Sequence, residues 1–103
     1  MPVSLHVSYR DVAQTPPLNE LITHEAAKLE RYFPRIVSCR VLLDREASRT
    51  GAPYHARIVL SVPGREIVVN QAAGPGEVLD EVVRAAFKRA KRQLQDWARL
   101  KAS

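Results

Sequence analysis

The apolar residues of this chain repeat first every second position, then every third or fourth, then every second again through three segments, and finally every third or fourth. A period of two marks a strand with one buried face and a period near 3.6 marks an amphipathic helix, so the pattern predicts the order β-α-β-β-β-α. Val3, Leu5 and Val7 alternate with Ser4, His6 and Ser8 in the first strand. Thr15-Pro16-Pro17 predicts a helix start, with a hydroxyl cap and proline at the first helical position, where its missing N–H costs nothing. Leu18, Leu21, Ile22, Ala26, Leu29 and Phe33 then line one face, until Pro34 pushes the residue before it out of helical geometry.

From Ile36 to Asp44 the alternation sets Val37, Cys39, Val41 and Leu43 on one face and Ser38, Arg40, Leu42 and Asp44 on the other. Glu46 to Pro53 is polar and holds Gly51, which predicts a loop. A third strand, about Tyr54 to Val62, turns Tyr54, Ala56, Ile58, Leu60 and Val62 inward. Pro63-Gly64 closes a hairpin onto a fourth strand, about Arg65 to Ala72. Ala73-Gly74-Pro75-Gly76 interrupts the pattern before a long second helix. A sheet with one apolar face and two amphipathic helices is satisfied when both helices cover that face. The expectation is an α+β fold, a two-layer sandwich with a four-stranded sheet. A crossover through the first helix would make the first two strands parallel.

A chain of 103 residues, 46% hydrophobic and 26% charged, fits one globular domain over residues 1–103. Its single cysteine, Cys39, excludes an internal disulfide and a multi-cysteine metal site, and suits a reducing compartment. No apolar run approaches the roughly 20 residues that span a bilayer, and the first ten residues lack the apolar run of a signal peptide. A cytoplasmic protein with no membrane partner is expected.

The charge is concentrated. The whole chain carries +5, yet residues 84–103 hold seven bases (Arg84, Lys88, Arg89, Lys91, Arg92, Arg99 and Lys101) against one acid, Asp96. That is +6 on the last twenty residues and −1 on everything before them. At about 100° per residue, Leu79, Val83, Ala86, Phe87, Ala90, Leu94 and Trp97 share one face. Arg84, Lys88, Lys91, Arg92 and Arg99 fall within an arc of about 100° opposite. Complementing the helix dipole needs only a cation or two in the last turn. Like charges at Arg84–Lys88 and Lys88–Arg92 repel by a few tenths of a kcal/mol per pair, and a polyanion along the stripe would relieve that. A solvated basic face is the alternative. A membrane surface fits less well, because the sheet needs the apolar face that insertion would require.

Nothing else points to chemistry. His6, His24 and His55 lie on separate elements, Cys39 sits on an apolar strand face, and Trp97 falls at core spacing. Gly74-Pro75-Gly76 lacks the Lys-Ser/Thr of a phosphate loop. No catalysis, metal, cofactor or small-molecule substrate is predicted. The sheet's other face, with Arg40, Leu42, His55, Arg57, Val59, Val68 and Asn70, is half apolar. It is either a partner surface or the ordinary apolar share of any surface.

Three local sequences, in order and at matching spacing, resemble the ribosome hibernation-promoting factor and ribosome-associated inhibitor family, also called sigma-54 modulation proteins. Tyr9-Arg10-Asp11-Val12, followed by Thr15-Pro16 and Leu18, is similar to the family's Gly-Arg-Asn-Val-x-x-Thr. Ala27-Lys28-Leu29-Glu30-Arg31-Tyr32-Phe33 resembles Lys-Leu-Glu-Lys-Tyr-Phe, and Arg89-Ala90-Lys91-Arg92-Gln93-Leu94 resembles Lys-Leu-x-Arg-Gln-Leu. The chain departs from the family at Tyr9, which replaces a glycine, and at Val78-Leu79-Asp80, which stands for Asp-Met-Tyr. Arg84 and Lys88 occupy positions that are often acidic there.

The resemblance implies a fold like that of double-stranded-RNA-binding domains and a non-catalytic protein whose partner is the small ribosomal subunit and its rRNA. Such a protein stops translation under stress or in stationary phase by blocking the messenger and tRNA channel; a second hibernation factor is a further partner the family allows. It implies a short form without the C-terminal dimerisation domain. Position by position, it assigns RNA contacts to Arg10, Lys28, Arg31, Arg89 and Arg92, which join Arg84, Lys88, Lys91 and Arg99 of the stripe. Two other readings stay open: a protein–protein regulatory module working through the mixed sheet face, and a divergent double-stranded-RNA binder.

Overall fold

The computed structural model describes residues 4–45, 54–74 and 76–102. Val3, the predicted loop from Glu46 to Pro53, and Pro75 lie outside the described residues. The elements are β1 (Ser4–Arg10), α1 (Pro16–Tyr32), β2 (Ser38–Arg45), β3 (Tyr54–Val62), β4 (Arg65–Ala72) and α2 (Leu79–Ala102). One sheet forms in the order β1-β2-β3-β4, with β1 parallel to β2 and the other pairs antiparallel. Both helices pack on one face of it, which is the expected two-layer α+β sandwich.

Local chemistry sets the boundaries. Thr15 is extended (φ −123°, ψ 150°), and its hydroxyl accepts the Leu18 N–H at 3.3 Å, satisfying one of the donors a helix start leaves open. At the other end Phe33 N–H donates to Leu29 O at 2.8 Å before Pro34 stops the helix. Gly64 has φ +88° and follows Pro63, the pattern of a type II turn, and the register pairs Val62 with Arg65 across it. Before α2, the Glu77 carboxylate accepts the Gly74 N–H at 2.5 Å, and Glu81 reaches back to the Val78 N–H at 3.4 Å.

The core is the seam between layers. Ile58 and Leu60 of β3, Leu43 of β2, Ile22 of α1, and Val82, Ala86 and Leu94 of α2 are fully enclosed, each large aliphatic side chain contributing about 1.5–3 kcal/mol. Trp97 is buried as its spacing predicts. Tyr9 at the end of β1 donates its hydroxyl to Asn19 Oδ1, pinning the strand to the first turn of α1, and burial pushes the phenol pKa up. One expected core residue is outside. Val37 is 64% exposed, because the turn closed by Ile36 N–H to Phe33 O (3.1 Å) feeds the chain in ahead of β2. Ile36 takes the buried place instead. Among the described residues, no helix is long and apolar enough to cross a membrane.

Candidate nucleic-acid interface

α2 lies over β3 and β4 and touches α1 along its side. Its buried face, Val82, Val83, Ala86, Phe87, Ala90, Leu94 and Trp97, is committed to the core, so the opposite arc must face solvent. Arg84, Lys88, Lys91 and Arg92 are exposed there. Among the described residues, no carboxylate comes within 4.0 Å of their charged groups. Arg99, further along the same arc, sits 3.8 Å from Asp96.

Where the helices meet, a groove of about 180 Å³ opens outward. Leu29 and Phe87 form its floor, Arg84, Lys88 and Lys91 come from α2, and Lys28 and Tyr32 come from α1. Lys28 bridges Glu25 one turn back at 3.0 Å, so the groove has a partly neutralised end. At the other end the Lys91 ammonium stands 5.0 Å from the centre of the Tyr32 ring, within cation–π range. Lys28 thus joins the α2 stripe across the seam. Tyr32 and Glu25 belong to the same groove, although neither stood out by charge or periodicity. The turn of helix separating Tyr32 from Lys28 is the only signal in the sequence that places them together.

The other candidate residues go elsewhere. Arg31, in the last turn of α1, is exposed but does not line the groove. Arg89 points from α2 to the edge of the sheet, where its guanidinium donates to Asn70 O at 2.9 Å and Gln71 Oε1 at 3.1 Å. It caps an edge strand whose carbonyls would otherwise offer a pairing template. Arg10 lies on the far side of the sheet with His6 and Ser8, and contacts Asp44 at 4.0 Å. The expected set is therefore divided between two layers.

That far side is the mixed face seen in the sequence. It holds a shallow depression of about 660 Å³ lined by Arg10, Arg40 and Arg57 together with Leu42, Val59 and Val68. Arg40 stands beside Val59 and Val68 in register, while Leu42 pairs with Arg57, so charge and aliphatic surface alternate. Arg40 also binds Glu66 at 3.2 Å. Among the described residues, no group of three His, Cys, Asp or Glu side chains could hold a metal ion. Cys39 is buried, and desolvation pushes its thiol pKa up to about 12. Such a thiol stays protonated and unreactive.

Residues 5–100 match the model of the family described as Sigma 54 modulation protein / S30EA ribosomal protein. Among solved structures, the chain is similar to a ribosomal subunit interface protein from Coxiella burnetii. There the TM-score is 0.80 at 14% identity, covering 98% of this chain and 100% of the other. It is also similar to the N-terminal domain of Thermus thermophilus Protein Y, with TM-score 0.73, 18% identity and coverage of 94% and 99%. No curated protein sequence matches. At those identities the structures speak for the fold, and the family model speaks for membership. The chain belongs to the Sigma 54 modulation protein / S30EA ribosomal protein family, a family of non-enzymatic, ribosome-associated modulators of translation.

Proposed function

We propose that this protein is a cytoplasmic hibernation factor that binds rRNA of the small ribosomal subunit and silences translation by occupying the messenger and tRNA channel during stress or stationary phase. One observation carries the proposal. Arg84, Lys88, Lys91 and Arg92 form an exposed row without acidic partners among the described residues, and Lys28 extends it across the inter-helix groove. Cations on a helix with no carboxylate beside them suit phosphates, and they need no base readout to hold an RNA whose grooves offer mainly shape and backbone. Arg31 and Arg99, both exposed, would widen the contact. Arg89 contributes chiefly by holding the β4 edge, and Arg10 faces away from the row.

Sedimentation of ribosomal subunits from starved cells tests this. The chain is expected in the small-subunit fraction; its recovery only in the ribosome-free supernatant defeats the proposal. A second reading has one observation in its favour: the depression on the open sheet face, about 660 Å³, exceeds the groove between the helices, about 180 Å³. A protein partner docked there would be lost on substituting Leu42, Val59 and Val68, with subunit co-sedimentation left intact.

A further inference from the structure

Tyr32 is 62% exposed at the end of α1, a high exposure for a large aromatic side chain, and it lines the groove together with the buried side chains of Leu29 and Phe87. Its ring forms one wall of the groove, with Lys91 against it at 5.0 Å and Lys88 and Arg84 following along α2. We propose that this end of the groove receives one unpaired nucleotide of the bound RNA, its base stacked on Tyr32 and its flanking phosphates held by Lys88 and Lys91. The inference rests on the RNA-binding reading above and goes one step beyond it. A row of cations alone takes duplex and single strand alike, whereas a base must leave its stack to lie against an aromatic ring.

Three features favour this end. An exposed aromatic framed by cations is the composition of single-strand platforms, because every base has a π-face and each phosphate a charge. Glu25 neutralises Lys28 at the opposite end, at 3.0 Å, so phosphate is drawn toward Lys88 and Lys91. Leu29 and Phe87, both almost fully buried, line the groove beside Tyr32, so its floor offers a phosphate neither charge nor a side-chain donor.

The test uses the full chain with two RNA probes, a hairpin carrying an unpaired loop with 2-aminopurine and a continuous duplex of equal length. Binding is read by anisotropy at several salt concentrations. Y32A should weaken hairpin binding by about five- to 150-fold and abolish quenching of 2-aminopurine, while Y32F stays within about twofold of the parent. Duplex binding and the salt slope should not change with either variant. Equal binding of the hairpin by the parent and Y32A overturns the inference, as does an equal loss on both probes, which would make Tyr32 a mere support for Lys91. If the parent binds neither probe with a salt-dependent affinity, the RNA-binding reading itself fails and takes the inference with it.

Discussion

Replacing Lys88 with alanine isolates one of the proposed phosphate contacts. Lys88 is one of four cations of the α2 stripe with neither a carboxylate nor a hydrogen-bond partner among the described residues, and its side chain is exposed, so K88A should change stability by no more than about 0.5 kcal/mol. It even removes like-charge neighbours at Arg84 and Arg92, each about a turn away. If the four cations each displace the counterions of one phosphate, the slope of log K against log salt is about −2.8 on single-stranded RNA and about −3.6 on duplex. Raising salt from about 50 to 200 mM then weakens parent binding roughly 50- to 150-fold. K88A should lose about 0.7–0.9 of that slope, leaving a roughly 20- to 40-fold loss over the same rise. Arg99 stands 3.8 Å from Asp96 and already has a counter-charge, so R99A should flatten the slope less. Anisotropy titrations with small subunits or with an rRNA fragment give these slopes directly. A K88A slope equal to the parent's would refute the electrostatic argument, even if affinity had dropped, because the lysine would then act through packing rather than phosphate neutralisation.

Other consequences are smaller and independent. T15A removes the only side-chain cap described at the start of α1 and should cost about 1 kcal/mol in urea unfolding, with the m-value unchanged. F87A, which empties the floor between the helices, should cost about 3–5 kcal/mol and shift the thermal midpoint accordingly. R89A removes the bonds to Asn70 and Gln71 and should lower stability by about 0.5–1.5 kcal/mol while altering the salt slope less than K88A does. The Cys39 thiol titrates at about 12 in the folded chain against an ordinary 9.0, so between those values the unfolded chain binds fewer protons than the folded one. Its contribution is whole below pH 9 and is lost as pH rises, by up to about 1.4 kcal/mol per unit, so stability measured from pH 8 to 11 should fall less steeply in C39A than in the parent.

Most of the fold was legible because each local signal agreed with its neighbours. Pro16 after Thr15, Pro34 after Phe33, and Pro63-Gly64 between two alternating runs each fix a boundary within a residue or two, and the strands from Tyr54 and Arg65 come out as their alternation predicts. Val37 shows where such reasoning stops. Its parity with Cys39 and Val41 is correct only if the strand is already running, and the turn at residues 33–36 delays it by two positions. Parity describes a strand; it does not say where the strand begins.

The interface was legible in its charge and not in its partners. A helical wheel gives the angle of each side chain about its own axis but not what the next layer places opposite that angle. Arg89 lies about 60° beyond Arg92 on the wheel. That is enough to bring it over the β4 edge, where Asn70 and Gln71 occupy its donors. Arg10 shares the parity of His6 and Ser8 and so faces away from the helices, a distinction that a resemblance based on sequence position does not carry. Lys91 and Tyr32 are far apart in the chain and meet only because α1 and α2 lie side by side on the same sheet. Counting bases therefore overstates the site, because a cation already satisfied by Asp96, Glu25 or a strand carbonyl has less to gain from a phosphate. In the proposed interface the cations with most to gain from a phosphate are those that, among the described residues, have neither a carboxylate nor a hydrogen-bond partner, Arg84, Lys88, Lys91 and Arg92, and that subset is set by the packing of both layers rather than by the composition of α2 alone.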